Sequence, residues 1–108
     1  MKMVLVGCAA VAGLLLVAAG NSAAVAADGA QLATNYKCMS CHGMDKKLVG
    51  PAFKDIAKKY AGDKTALEKL AAKVRDGSTG DWGPIPMPPN SVPDADLKTL
   101  VEWILSLK

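Results

Sequence analysis

Two of the chain's three cysteines and its only histidine fall within five residues, Cys38-Met39-Ser40-Cys41-His42. The chain differs in character on the two sides of this cluster. Lys2 is the sole charge before Asp28, an apolar run rich in Leu, Val, Ala and Gly extends from Met3 to Ala19, and Ala24-Val25-Ala26 supplies a small-x-small tripeptide. This is the pattern of a secretory signal peptide, so residues 1–26 are expected to be cleaved and 27–108 to form the mature domain. A membrane anchor is the rival reading, because the run is nearly long enough to span a bilayer, but alanine and glycine dominate it and the cleavage tripeptide comes at once after it. A lipidation box at Leu5-Val6-Gly7-Cys8 fits poorly, since most of the apolar run comes after it, leaving Cys8 as a small apolar residue of the discarded segment. The remaining 82 residues carry 12 basic and 10 acidic side chains. A domain of that size is marginal on its own core and usually needs a staple. Its two cysteines belong to one motif, so the staple is expected to be something bound there.

Cys38-x-x-Cys41-His42 is the C-x-x-C-H attachment signature of c-type haem. Two thiols three residues apart lie about one helical turn from each other, which lets both reach the vinyl groups on one porphyrin edge as thioethers, with the His42 imidazole beside them for the iron. Three rivals compete with this reading. A redox dithiol of the thioredoxin kind needs a βαβ setting, and strand-forming runs are missing; a structural zinc site wants about four Cys/His ligands, and the mature chain offers three; a Cys38–Cys41 disulfide would close a very small loop and leave His42 without a purpose. One covalent haem c, bound through Cys38 and Cys41, is the reading expected.

A sixth iron ligand has to come from elsewhere. Met39 and Met44 lie too close to His42 to reach the other porphyrin face, whereas Met87 is separated from it by enough chain for two short helices. Met87 sits in Gly83-Pro84-Ile85-Pro86-Met87-Pro88-Pro89-Asn90. Proline fixes φ and restricts the residue before it, so this loop has few conformations, and it lacks N–H groups that would need partners beside an apolar ring. His42/Met87 ligation is the resulting expectation, against the plainer one that Met87 fills a core gap. Met/His ligation raises the reduction potential.

Periodicity of 3.6 residues recurs in four places. Asp28 with Gln31 reads as a capping box for a first helix carrying Leu32 and Tyr36. Phe53, Ile56, Ala57 and Tyr60 mark a second, Leu67, Leu70, Ala71 and Val74 a third, and Leu97, Leu100, Val101, Ile104 and Leu105 a last helix from Pro93-Asp94 almost to Lys108. With no alternating strand pattern, the mature chain reads as one all-α domain. Trp103, beside Ile104, reads as core.

At this point the chain resembles the small class I bacterial cytochromes c of the c-551 type. The matching segments are Cys38 to His42, Val49-Gly50-Pro51-Ala52-Phe53, Asp76-Gly77-Ser78, Gly80 to Asn90, and Trp103-Ile104-Leu105-Ser106. The resemblance implies four or five short helices wrapped around one haem, a periplasmic location and one-electron carriage, typically to a cytochrome cd1 nitrite reductase or a terminal oxidase. It also implies that the Pro51 carbonyl accepts the Nδ1 proton of His42, that Trp82 donates its indole N–H to a haem propionate, and that Asn90 hydrogen-bonds near the Met87 sulfur. Where relatives often have an arginine facing a propionate, this chain has Lys73, a point charge in place of a planar fork. Pro93 stands where a cap residue of the last helix is expected, which proline tolerates at a helix start.

Lys46, Lys47, Lys54, Lys58 and Lys59 cluster with only Asp45 and Asp55 among them. Near an exposed haem edge they would steer an acidic partner; a solvated helix face is the plainer alternative. The expected partners are redox proteins, a membrane cytochrome or cupredoxin as donor and a nitrite reductase or oxidase as acceptor, with the carrier a monomer and not membrane-inserted after cleavage. Nucleic acid is not expected, because the small positive charge falls further once two propionates are counted. The expected mechanism is outer-sphere electron transfer rather than catalysis. A haem enzyme or gas-binding protein with a labile Met87, of peroxidase-like character, stays open on the residues alone.

Overall fold

The widest apolar stripe in the sequence builds the helix against which the others pack. In the computed structural model, which describes residues 21–108 together with Met3 and Gly7, the order is α1 (Asn21–Asn35), a single 3-10 turn (Cys38–Ser40), α2 (Phe53–Lys59), α3 (Ala66–Asp76) and α4 (Asp94–Ser106). Helix α4 touches each of the other three. Leu97, Leu100, Val101, Trp103 and Ile104 are its buried face, joined by Ala33 of α1, Phe53 and Ile56 of α2, and Leu70 of α3. Each such large side chain contributes about 1.5–3 kcal/mol on burial. The only β pairing among the described residues is two isolated bridges, His42 with Lys47 and Ser78 with Met87. The all-α architecture expected from periodicity is the one found.

Small residues set the α1–α4 approach. Gly29 and Ala33 lie one turn apart on α1, both buried, and a Cβ on Gly29 would fall 2.1 Å from the Trp103 Cβ. The Trp103 side chain occupies the notch that the missing methyl leaves. Near the end of α1, the Tyr36 hydroxyl donates to Asp96 Oδ2 at 2.8 Å, and Arg75 of α3 reaches Asp94 at 3.1 Å. Both acids sit in the first turn of α4, where carboxylates complement the helix dipole. Pro93 precedes that turn in extended geometry and offers no side-chain cap; its carbonyl accepts the Leu97 N–H at 2.8 Å.

One expectation is corrected. Asp28 does not cap α1 but lies inside it, because the helix already runs from Asn21. Ala23, Ala24, Ala26 and Ala27 are strong helix formers, and nothing stops the helix before Asp28. The apolar run and Cys8 lie outside the described residues, apart from Met3 and Gly7. No described helix is long and apolar enough to cross a membrane.

Asp63, ahead of α3, accepts from the Thr65 N–H at 2.8 Å and the Thr65 hydroxyl at 2.7 Å, and from Lys69 at 2.8 Å. The Lys69 ammonium, then Thr65, hold its carboxyl down at about 2. A depressed carboxylate adds stability above its unfolded pKa, near 4, and loses it as pH falls through the folded value. Asp63→Asn is therefore expected to lower the thermal midpoint at pH 7, with the gap from wild type closing between pH 4 and pH 2. At the α1–α4 crossing, Gly29→Val should cost about 1–3 kcal/mol or more through overpacking, measurable by chemical denaturation.

Candidate functional site

The site is built around one imidazole. Lys37 takes a left-handed conformation, φ 61°, and turns the chain out of α1 into the 3-10 turn. The Cys41 and His42 N–H groups then both donate to the Cys38 carbonyl, at 3.1 and 3.0 Å, so the two thiols and the imidazole leave one tight turn. Helix α2 has no side-chain cap. Its Phe53 and Lys54 N–H groups, unpartnered within any helix start, donate instead to the Gly43 and Met44 carbonyls at 2.9 and 3.2 Å. That wiring places Pro51, two residues before the helix, against His42.

His42 Nδ1 lies 2.7 Å from the Pro51 carbonyl oxygen. A carbonyl only accepts, so the proton is on Nδ1 and the Nε2 lone pair is free. The residue is 8% exposed, its ring stacked on Phe53 with centroids 5.0 Å apart and planes 16° from parallel. Phe53 in turn meets Trp103 edge-on at 5.6 Å. On the other side, a Cβ on Gly50 would fall 2.8 Å from His42 Cε1. Among the described residues Nε2 has no hydrogen-bond partner, and no buried side-chain nitrogen or oxygen lacks one. It therefore opens on the cavity that His42 lines.

That cavity has a volume of about 380 Å³, within the ~300–1,000 Å³ usual for small-molecule and cofactor sites. Cys38, Cys41, His42, Pro51, Lys73, Trp82, Met87 and Asn90 all line it. Both cysteines are free thiols, Cys38 half-buried and Cys41 exposed; burial pushes the Cys38 thiol up. No group of three His, Cys, Asp or Glu side chains gathers to hold a metal among the described residues. Two unpaired thiols, an imidazole with its lone pair held free, a thioether and largely apolar walls together fit a c-type haem.

Met87 is held by backbone. Its N–H donates to Ser78 at 2.7 Å and its carbonyl accepts from Ser78 at 3.0 Å. Neighbouring Gly77 has φ 85°, and a Cβ there would lie 2.9 Å from the Met87 carbonyl, so only glycine fits this approach. The Asn90 N–H closes the loop on the Val74 carbonyl at 2.8 Å.

Three side chains have partners that sequence reasoning did not supply. Lys73 forms an ion pair with Asp81, which also accepts from the Ser78 hydroxyl at 2.8 Å. The Lys73 ammonium, then Ser78, draw the Asp81 carboxyl below its usual range. The Asn90 amide donates to the Tyr36 carbonyl at 3.3 Å. Trp82 is 40% exposed with the Lys59 ammonium 4.7 Å above its ring, a cation–π contact. The Phe53 stack is likewise absent from the sequence reading: its place in an apolar stripe signals burial, and only its nearness to Gly50-Pro51 hints at the imidazole.

Comparison with known proteins fits this geometry. The family model described as Cytochrome c matches residues 26–108. Cytochrome c-551 of Pseudomonas aeruginosa is 51% identical over 83 residues, 77% of this chain and 80% of its own. Cytochrome c-552 of Hydrogenobacter thermophilus is 50% identical over 94 residues, 87% of this chain and 96% of its own. The crystal structure of Nitrosomonas europaea cytochrome c552 superposes with a TM-score of 0.71 at 55% identity, covering 73% of this chain and 99% of that one.

Phe53→Ala should cost about 3–5 kcal/mol, read by denaturant unfolding of the variant beside the wild type.

Proposed function

The chain belongs to the cytochrome c family, as a class I electron carrier of the c-551/c-552 type with one covalent haem c, and from that premise we propose that His42 and Met87 are the axial ligands of an exported one-electron shuttle. The observation that carries the reading is the shared cavity: both thiols, the Nε2 lone pair and the Met87 thioether line one apolar space. The haem supplies the redox chemistry, one electron gained or lost at iron.

The protein's part is to keep the surroundings constant. Pro51 holds the proton on His42 Nδ1, which fixes the tautomer and raises the basicity of Nε2, as such outer partners of ligating histidines do. The Ser78 bridge fixes the Met87 backbone. Both ligands come from positions with little freedom, so the two oxidation states need little rearrangement and exchange is fast. With the haem bound, Trp82 would donate its N–H to a propionate, Lys73, already paired with Asp81, would reach one only through its remaining hydrogens, and the second Asn90 amide hydrogen would serve the Met87 sulfur.

Leu48, Val49, Trp82 and Ile85 are large apolar side chains left exposed, between 40% and 63%, and Val49, Trp82 and Ile85 line the cavity. Lys46, Lys47 and Lys58 are exposed in the same part of the sequence, while Lys54 is tied to Asp45 at 2.5 Å. An apolar rim with lysines nearby suits a transient partner of acidic character. We assign the donor to a membrane cytochrome or cupredoxin and the acceptor to a cytochrome cd1 nitrite reductase or a terminal oxidase, met in the periplasm after cleavage at Ala26.

Met87→Ala tests this reading. The ferric protein should show a weak absorbance near the red edge of the visible; the variant should lose it, bind carbon monoxide when ferrous, keep its haem and have a lower midpoint potential. An unchanged spectrum would remove Met87 from the iron.

A further inference from the structure

The loop that carries Met87 is held at its far end by Pro88, Pro89 and Asn90, but its near end has a weak point. Gly80 and Gly83 have φ of 92° and 127°, and nothing lies within 4 Å of where a Cβ would stand on either. The two glycines flank Asp81-Trp82 without packing to hold them. Yet Asp81 is tied down on several sides: by Lys73 on α3, by the Ser78 hydroxyl at 2.8 Å, and by Lys59 at the end of α2, whose ammonium is 3.5 Å from the Asp81 carbonyl oxygen. Lys59 also covers the Trp82 ring. Ser78 in turn makes both backbone hydrogen bonds of Met87.

We propose that Asp81 is a positioning residue for the Met87 thioether, a latch through which Lys73 and Ser78 fasten the glycine-flanked start of the loop to helix α3. The inference rests on the reading that Met87 is an iron ligand. It gives Lys73 a role distinct from a propionate contact. In the chain of contacts α3, Lys73, Asp81, Ser78, Met87, each link is an ion pair or hydrogen bond; with the Asp81 carboxylate links open, only Lys59 holds the Gly80–Gly83 segment, and the Met87 loop that it leads into gains freedom. The ion pair is about one-third exposed on both sides, so salt should weaken it.

The test is the rate at which imidazole, kept neutral by working at about pH 8.5, displaces the thioether from the ferric protein, followed as loss of the red-edge absorbance. Asp81→Asn should speed displacement roughly twofold to fivefold, the range an exposed pair supports, and Ser78→Ala should act in the same direction. Asp81→Glu, which keeps the carboxylate, should restore most of the wild-type rate. Raising ionic strength should speed the wild type and leave Asp81→Asn unaffected. Glu102→Gln, which breaks the Lys98–Glu102 pair on α4, should change nothing. The latch is overturned if Asp81→Asn and Ser78→Ala exchange at the wild-type rate, or if they lower global stability without changing that rate. Absence of the band in the unaltered protein would remove Met87 as a ligand, and the latch with it, which separates the two failures.

Discussion

Everything in the site depends on where one proton sits. The Pro51 carbonyl, 2.7 Å from His42 Nδ1, accepts and cannot donate, so it commits the imidazole to a single tautomer and leaves Nε2 as a base facing the cavity. Keeping that contact takes three independent pieces of backbone. The 3-10 turn aims the side chain, Gly50 leaves room for the ring, and the N–H groups at the start of α2 bond the segment just after His42. A longer side chain at position 50 or a shift of α2 by one residue would undo it.

The same ring links the site to the core. His42 stacks on Phe53, Phe53 meets Trp103, and Trp103 fills the notch at Gly29. The cavity-facing imidazole is thus three contacts from the α1–α4 crossing, and both are made from the same few side chains. An apolar cavity of this size at the centre of so small a domain would cost much of its stability if left unfilled. The covalent haem is both cofactor and filling, which is why the described domain holds together without a disulfide between its own two cysteines.

The sequence is informative where chemistry or period is local. C-x-x-C-H names its own cofactor, and the stripes of α2, α3 and α4 appear where expected because each is bounded by strong signals: Pro51 before α2, Gly77 after α3, Pro93 before α4. The prolines around Met87 mark a stiff loop in the sequence, and the structure sets that loop at the cavity His42 lines. The start of α1 is not, because a capping pattern says where a helix can begin, whereas the alanines upstream of Asp28 let it begin sooner. Ion pairing between Lys73 and Asp81 depends on how the Gly77–Gly80 segment bends, which no periodicity encodes. The Asn90–Tyr36 bond spans 54 positions and likewise comes only from the fold. The relatives, carriers of cytochrome c-551 or c-552 type, close the enzyme alternative that the residues alone leave open.

The most direct test is the intact mass of the purified protein under denaturing conditions. The expected value is the mass of the polypeptide plus one haem, retained through denaturation because both thioethers are covalent, and lost when Cys38 and Cys41 are both replaced by alanine. A mass equal to the bare polypeptide, or a haem that dissociates on unfolding, would contradict a covalently held cofactor and the site built around it.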